Sequence, residues 1–111
     1  MPQLHHNRLL ALEDSLTAVA FVARSLSDEN RLRILLCVSA AKKSVSGIVE
    51  ELNLSQPLVS HHLKELRRSL LVRVERRGPF VYYEIADPRI VEILAALRDL
   101  ATDLLAARTT F

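Results

Sequence analysis

Apolar side chains recur along this chain at two spacings, and the switch between them sets the predicted architecture. Leu9, Leu12, Leu16, Val19, Ala20 and Ala23 return every three or four residues, the period of an α-helix. Leu10, Phe21, Val22 and Leu26 fall on its other faces, so a first helix from Leu9 to Leu26 is apolar over much of its circumference. Such a helix is expected to be buried on more than one side. A second helix opens at Ser27, whose hydroxyl can accept from a free first-turn amide, with Asp28 and Glu29 at its positive end. It continues to about Ala41, and Lys42-Lys43 suit its negative end. A short third helix spans about Gly47 to Leu52, with Ser44 or Ser46 as cap and Asn53 at the exit. Ser55 caps a fourth, with Pro57 in the first turn, where a missing amide costs little. Two short helices joined by Asn53-Leu54-Ser55 make a helix-turn-helix candidate.

Period two takes over from Leu71 to Arg76, where apolar and charged residues alternate, and from Phe80 to Ala86, rich in aromatic and β-branched residues. Arg77-Gly78-Pro79 separates them, so they form a hairpin. Asp87-Pro88 then starts a last helix over 88–107. Its Ile90, Ile93, Leu94, Leu97, Leu100, Ala101 and Leu104 form one broad stripe with little core left to join. That stripe is expected to meet the first helix and a second protomer, with Leu9, Leu16, Ile90, Ile93, Leu94, Leu97, Leu100 and Leu104 at the interface. The expected fold is mainly α with a small β-hairpin, ordered α-α-α-α-β-β-α, as one dimeric domain over 1–111 with residues 1–8 as a flexible arm.

Composition narrows the function. The chain has one cysteine, Cys37, and two glycines, Gly47 and Gly78. An intrachain disulfide and a glycine-rich phosphate loop are therefore excluded. No GxSxG, HExxH or CxxC motif occurs, so no catalytic residue, metal or cofactor is expected. No apolar run approaches the roughly 18 residues that span a bilayer, and residues 1–8 lack a signal-peptide pattern. A cytoplasmic protein without a membrane partner is expected.

The net charge of +2 is unevenly spread: residues 56–79 hold six basic groups (Lys64, Arg67, Arg68, Arg73, Arg76, Arg77) against Glu65 and Glu75. A local cationic stretch of this kind suits a nucleic-acid footprint. On a helical wheel of the fourth helix, Leu63, Leu66 and Leu70 lie within about 40° of Val59. Ser60, His61, Lys64 and Arg68 lie opposite, offering donors to base edges and phosphates in a major groove. His62 falls beside the core stripe. Arg76 and Arg77 at the hairpin turn suit the phosphate backbone or a minor groove.

These residues resemble the ArsR/SmtB family of winged helix-turn-helix repressors. The resemblance is carried by residues 26–35 (LSDENRLRIL), residues 54–66 (LSQPLVSHHLKEL) and residues 81–85 (VYYEI), and with the element order it covers roughly residues 20–95. It implies a homodimer joined through its first and last helices, repression by occupancy of double-stranded operator DNA, and release by an inducer, often a metal ion. It also implies recognition positions at Gln56, Ser60, His61 and Lys64.

The departures concern metal. Where the family has a Cys-Val-Cys motif this chain reads Ser44-Val45-Ser46, and hydroxyls are poor ligands for soft metals. Where the family places a second site on its last helix, the matching positions read Asp87, Arg89, Leu100 and Asp103, with both imidazoles missing. The expected function is a repressor without the usual metal sites and with an unidentified inducer. Two alternatives stand beside it: metal sensing through His5 and His6, with Cys37 or a partner residue, and a winged helix that serves as a protein-interaction module.

Overall fold

The computed structural model describes the backbone of residues 2–108 and the side chains of residues 5–108. The elements are α1 (Pro2–Glu13), α2 (Leu16–Ser25), α3 (Glu29–Ala40), α4 (Val45–Leu52), α5 (Gln56–Arg68), β1 (Val72–Arg77), β2 (Phe80–Ile85) and α6 (Arg89–Ala107). The first predicted helix is therefore two. It breaks at Asp14-Ser15, polar residues of modest helix propensity. Residues 2–8, expected as part of a flexible arm, form the opening turns of α1; Met1 lies outside the described residues.

Local capping chemistry explains the middle of the chain. Asp28, not Ser27, caps α3, its carboxylate accepting from the Arg31 amide at 3.4 Å. The Ser27 hydroxyl instead donates to the Arg24 carbonyl at 2.6 Å, closing the end of α2. Ser44 caps α4 by accepting from the Gly47 amide at 3.1 Å, and Asn53 leaves that helix in the left-handed region at φ 54°. Asparagine tolerates this conformation better than most residues. Ser55 caps α5 by accepting from the Leu58 amide at 3.3 Å.

The core lies where α3, α4, α5 and the hairpin meet. Ile34, Leu35, Val38, Ile48, Val59, Leu63, Leu66, Leu71 and Val72 are buried there. The strands pair antiparallel from Val72 opposite Ile85 to Arg77 opposite Phe80. Lys43 adds a short third rung by exchanging two backbone hydrogen bonds with Tyr83, at 2.9 and 2.8 Å. The hairpin is thus stitched to the segment that leads into α4.

Two sequence expectations change here. Ile90, expected at a dimer interface, is only 9% exposed and belongs to the chain's own core. It faces inward because it sits in the first turn of α6, directly after the hairpin. Leu70, expected on the core stripe, falls beyond the end of α5 with φ 66° and is 77% exposed. No helix among the described residues is long and apolar enough to cross a membrane.

Candidate nucleic-acid interface

The apolar stripe of α5 is fully spent on the core: Val59, Leu63 and Leu66 are no more than 1% exposed. Burial on that scale fixes the roll of the helix. The opposite side must then face solvent, and Gln56, Ser60, His61, Lys64 and Arg68 are all exposed. Arg68 shares its charge with Glu65 at 3.4 Å. Lys64 makes no ion pair among the described residues. The face therefore presents an amide, a hydroxyl, an imidazole and a cation in succession.

His62, beside this face, points inward and is 8% exposed. Its Nε2 lies 3.4 Å from the Asp28 carboxylate that caps α3. Burial lowers its pKa below the ordinary histidine value, outweighing Asp28, with His61 and Arg31 adding to the lowering. Its Nδ1 and the Arg31 Nε are buried without a hydrogen-bond partner among the described residues.

The hairpin carries a second cationic surface. Strand alternation puts Arg73, Glu75 and Arg77 on one face, opposite Glu84, Tyr82 and Phe80. Val72, Val74 and Arg76 take the other face, with Val81, Tyr83 and Ile85. The wing arginines, equivalent as sequence, thus differ in structure. Arg77 donates to Glu75 at 3.0 Å, and Glu75 also meets Lys42. Glu84 is held by Arg73 at 2.7 Å and lies 3.7 Å from Lys42. These cations keep the pKa of both carboxylates low. Arg76 has no ion pair among the described residues, so it is the freer charge. Lys42, read from sequence as a helix-end charge, is instead the anchor of this network. No local sequence pattern could have shown that, because its partners lie more than thirty residues away.

The remaining candidates are dispersed. Ser44 is committed to its cap. Asp87 accepts from the Arg89 amide at 2.9 Å and holds the Arg89 guanidinium at 2.8 Å. Leu100 and Asp103 are exposed on α6, and His5 and His6 are exposed on α1. Among the described residues, no three His, Cys, Asp or Glu side chains gather where a metal ion could be held. Cys37 is buried against Glu51, with Lys43 3.0 Å from the same carboxylate. Burial and Glu51 push its thiol pKa up to about 11.

The comparisons with known proteins agree with this geometry. Residues 28–74, from the α3 cap to β1, match the model of the bacterial regulatory protein family arsR. The chain is similar to an HTH-type transcriptional regulator of Methanocaldococcus jannaschii, 33% identical over 82 residues, covering 73% of this chain and 92% of that protein. It is also similar to the transcriptional repressor SdpR of Bacillus subtilis, 33% identical over 64 residues, or 58% of this chain and 71% of that one. Among solved structures, the homodimeric winged helix-turn-helix DNA-binding domain Mb0332 of Mycobacterium bovis superposes with TM-score 0.72 at 26% identity, covering 83% of this chain and 85% of that domain. The chain belongs to the ArsR/SmtB family of winged helix-turn-helix, DNA-binding transcription regulators.

Proposed function

We propose that this chain is a homodimeric transcriptional repressor that sets α5 in the major groove of its operator and the β1–β2 wing on the flanking backbone. One observation carries the reading. The core stripe of α5 is completely buried, so Gln56, Ser60, His61, Lys64 and Arg68 form the free face of a helix that a major groove accommodates. Arg76 and Arg77 flank it as phosphate contacts, which orient a protein without reading sequence.

The dimer reading is supported by Leu9 and Leu16 on α1 and α2, and by Ile93, Leu97, Leu100 and Leu104 on α6, all exposed. Leu94 is partly withdrawn against the core. The solved relative from Mycobacterium bovis is described as homodimeric. Operator release by a transition metal is not part of the proposal. Ser44 is a cap, Arg89 is paired with Asp87, and a thiol with a raised pKa is a poor metal ligand.

The test compares Ser60→Ala and His61→Ala with Arg76→Ala on a duplex selected by the wild-type chain from a random-sequence pool, and on scrambled duplex. The helix variants should lose about 1–3 kcal/mol on the selected duplex and less on the scrambled one. Arg76→Ala should weaken both equally and reduce the salt slope by about one per phosphate contact. Reversed behaviour would exchange the two roles. No salt-dependent binding to any duplex would favour the protein-interaction module. Zinc, nickel, cadmium or arsenite releasing the DNA stoichiometrically would point to a metal site, and loss of that effect on deleting residues 1–7 would place it at His5 and His6.

A further inference from the structure

Phe80 is an exposed aromatic residue in the most cationic part of the molecule. It is 61% exposed at the start of β2, directly across the hairpin from Arg77. The other exposed large apolar residues lie on α1, α2, α3 and α6 or in the turn at Leu70, and none shares the wing. The ring is braced on one side by Tyr82, two residues on and on the same face, at a centroid distance of 6.5 Å. Gly78 has φ +59°, and a Cβ built there would meet nothing within 4 Å, so the tip is slender and open. The nearby carboxylates do not oppose an anionic partner, because Glu75 and Glu84 are held by Lys42, Arg73 and Arg77. Arg76, without an ion pair among the described residues, lies on the other face of the same hairpin.

A braced apolar ring across from Arg77, at the tip of a cationic hairpin, matches one DNA chemistry in particular. Cations follow the phosphates at the edges of a minor groove, while an apolar side chain presses between base steps and partly unstacks them. Resting on the DNA-binding reading above, the geometry points to Phe80 as a wedge that enters the minor groove beside the α5 site. The wing then selects sequence through the deformability of that step, favouring the easily unstacked pyrimidine–purine steps. It is not only a clamp on the backbone.

The experiment uses the full chain and the duplex it selects from a random-sequence pool. Fluorophores at the duplex ends report bending, and 2-aminopurine at successive flanking positions reports unstacking. The wild type should bend the duplex and brighten one flanking position. Phe80→Ala should abolish both signals and weaken binding about tenfold, with an unchanged salt slope. Phe80→Leu, which keeps an apolar wedge, should retain most of the bend. Full affinity and full bending in Phe80→Ala would overturn the inference while leaving the DNA-binding reading intact. So would binding to anionic phosphatidylglycerol vesicles that is lost in Phe80→Ala while DNA binding is untouched. A wild type that selects no duplex would overturn both.

Discussion

Helices α5 and α6 carry the same signal in sequence and meet opposite fates. Each repeats leucine and β-branched residues at helical spacing. On α5 the stripe disappears into the core. On α6 only Ile90 is buried and Leu94 partly so, whereas Leu97 remains 48% exposed and Ile93, Leu100 and Leu104 more so. The difference lies in what the chain has left to cover each stripe. Helix α5 is enclosed by α3, α4 and β1. Helix α6 leaves the core after its first turns, and an open apolar groove of about 500 Å³ runs along it, lined by Leu26, Leu32, Leu36, Leu94 and Leu97. A stripe the fold fills frees the opposite face for a ligand. A stripe the fold leaves bare is itself a surface for a partner.

The severest test of that contrast is Leu97→Glu. A carboxylate in the centre of the bare stripe should yield folded monomers and abolish operator binding, because two linked half-sites are then no longer engaged together. Sedimentation and anisotropy measure both. A wild type that is monomeric at micromolar concentration would break the comparison at once.

The next effect in size belongs to α5. Leu63→Ala empties a fully buried position and should cost about 2–5 kcal/mol of folding stability, read from a urea midpoint. A loss below about 1 kcal/mol would mean that α5 is not the enclosed helix.

A smaller effect concerns His62, at the edge of the α5 stripe. Its folded pKa is lowered by burial. Above the ordinary value near 6.5 both folded and unfolded chains hold the ring neutral. As pH falls below that value, the unfolded chain takes up a proton that the folded chain refuses. Stability therefore declines until pH passes the lowered folded value. His62→Gln should flatten this part of the stability–pH profile relative to wild type. An unchanged profile would mean that the ring is free to charge in place.

The elements from Ser44 onward were legible because their determinants are local: Ser44 and Ser55 as caps, Asn53 as exit, Gly78-Pro79 as turn. The exposed face of α5 was legible for the same reason, since a wheel needs only neighbouring residues. The break at Asp14-Ser15 was hidden because apolar residues continue on both sides of it. Ile90 was misplaced because periodicity does not show where along a stripe the core ends. The inequality of Arg76 and Arg77 depends on Glu75 and Lys42, one of which comes from a distant segment.

Leu70, just beyond the end of α5, joins the two halves of the comparison, because it continues the line of that helix's stripe in sequence yet is exposed. Helix α5 ends by turning through it: the Leu70 amide donates to the Arg67 carbonyl at 3.1 Å, and the Leu71 amide donates to Leu66 at 2.9 Å. That closure needs a residue with positive φ, the place most helices give to glycine. A leucine held there carries about 1–2 kcal/mol of steric strain, while a glycine loses roughly 0.5–1 kcal/mol more conformational entropy on folding. With the side chain mostly in solvent, little packing is lost on removing it. Leu70→Gly should therefore raise stability by up to about 1 kcal/mol, seen as a higher urea midpoint at every protein concentration. The groove beside it is also lined by Phe21 and Ile93. If Leu70→Gly instead weakens the protein, and does so more as concentration rises, a second protomer covers this leucine, and the bare surface of α6 extends to the end of α5.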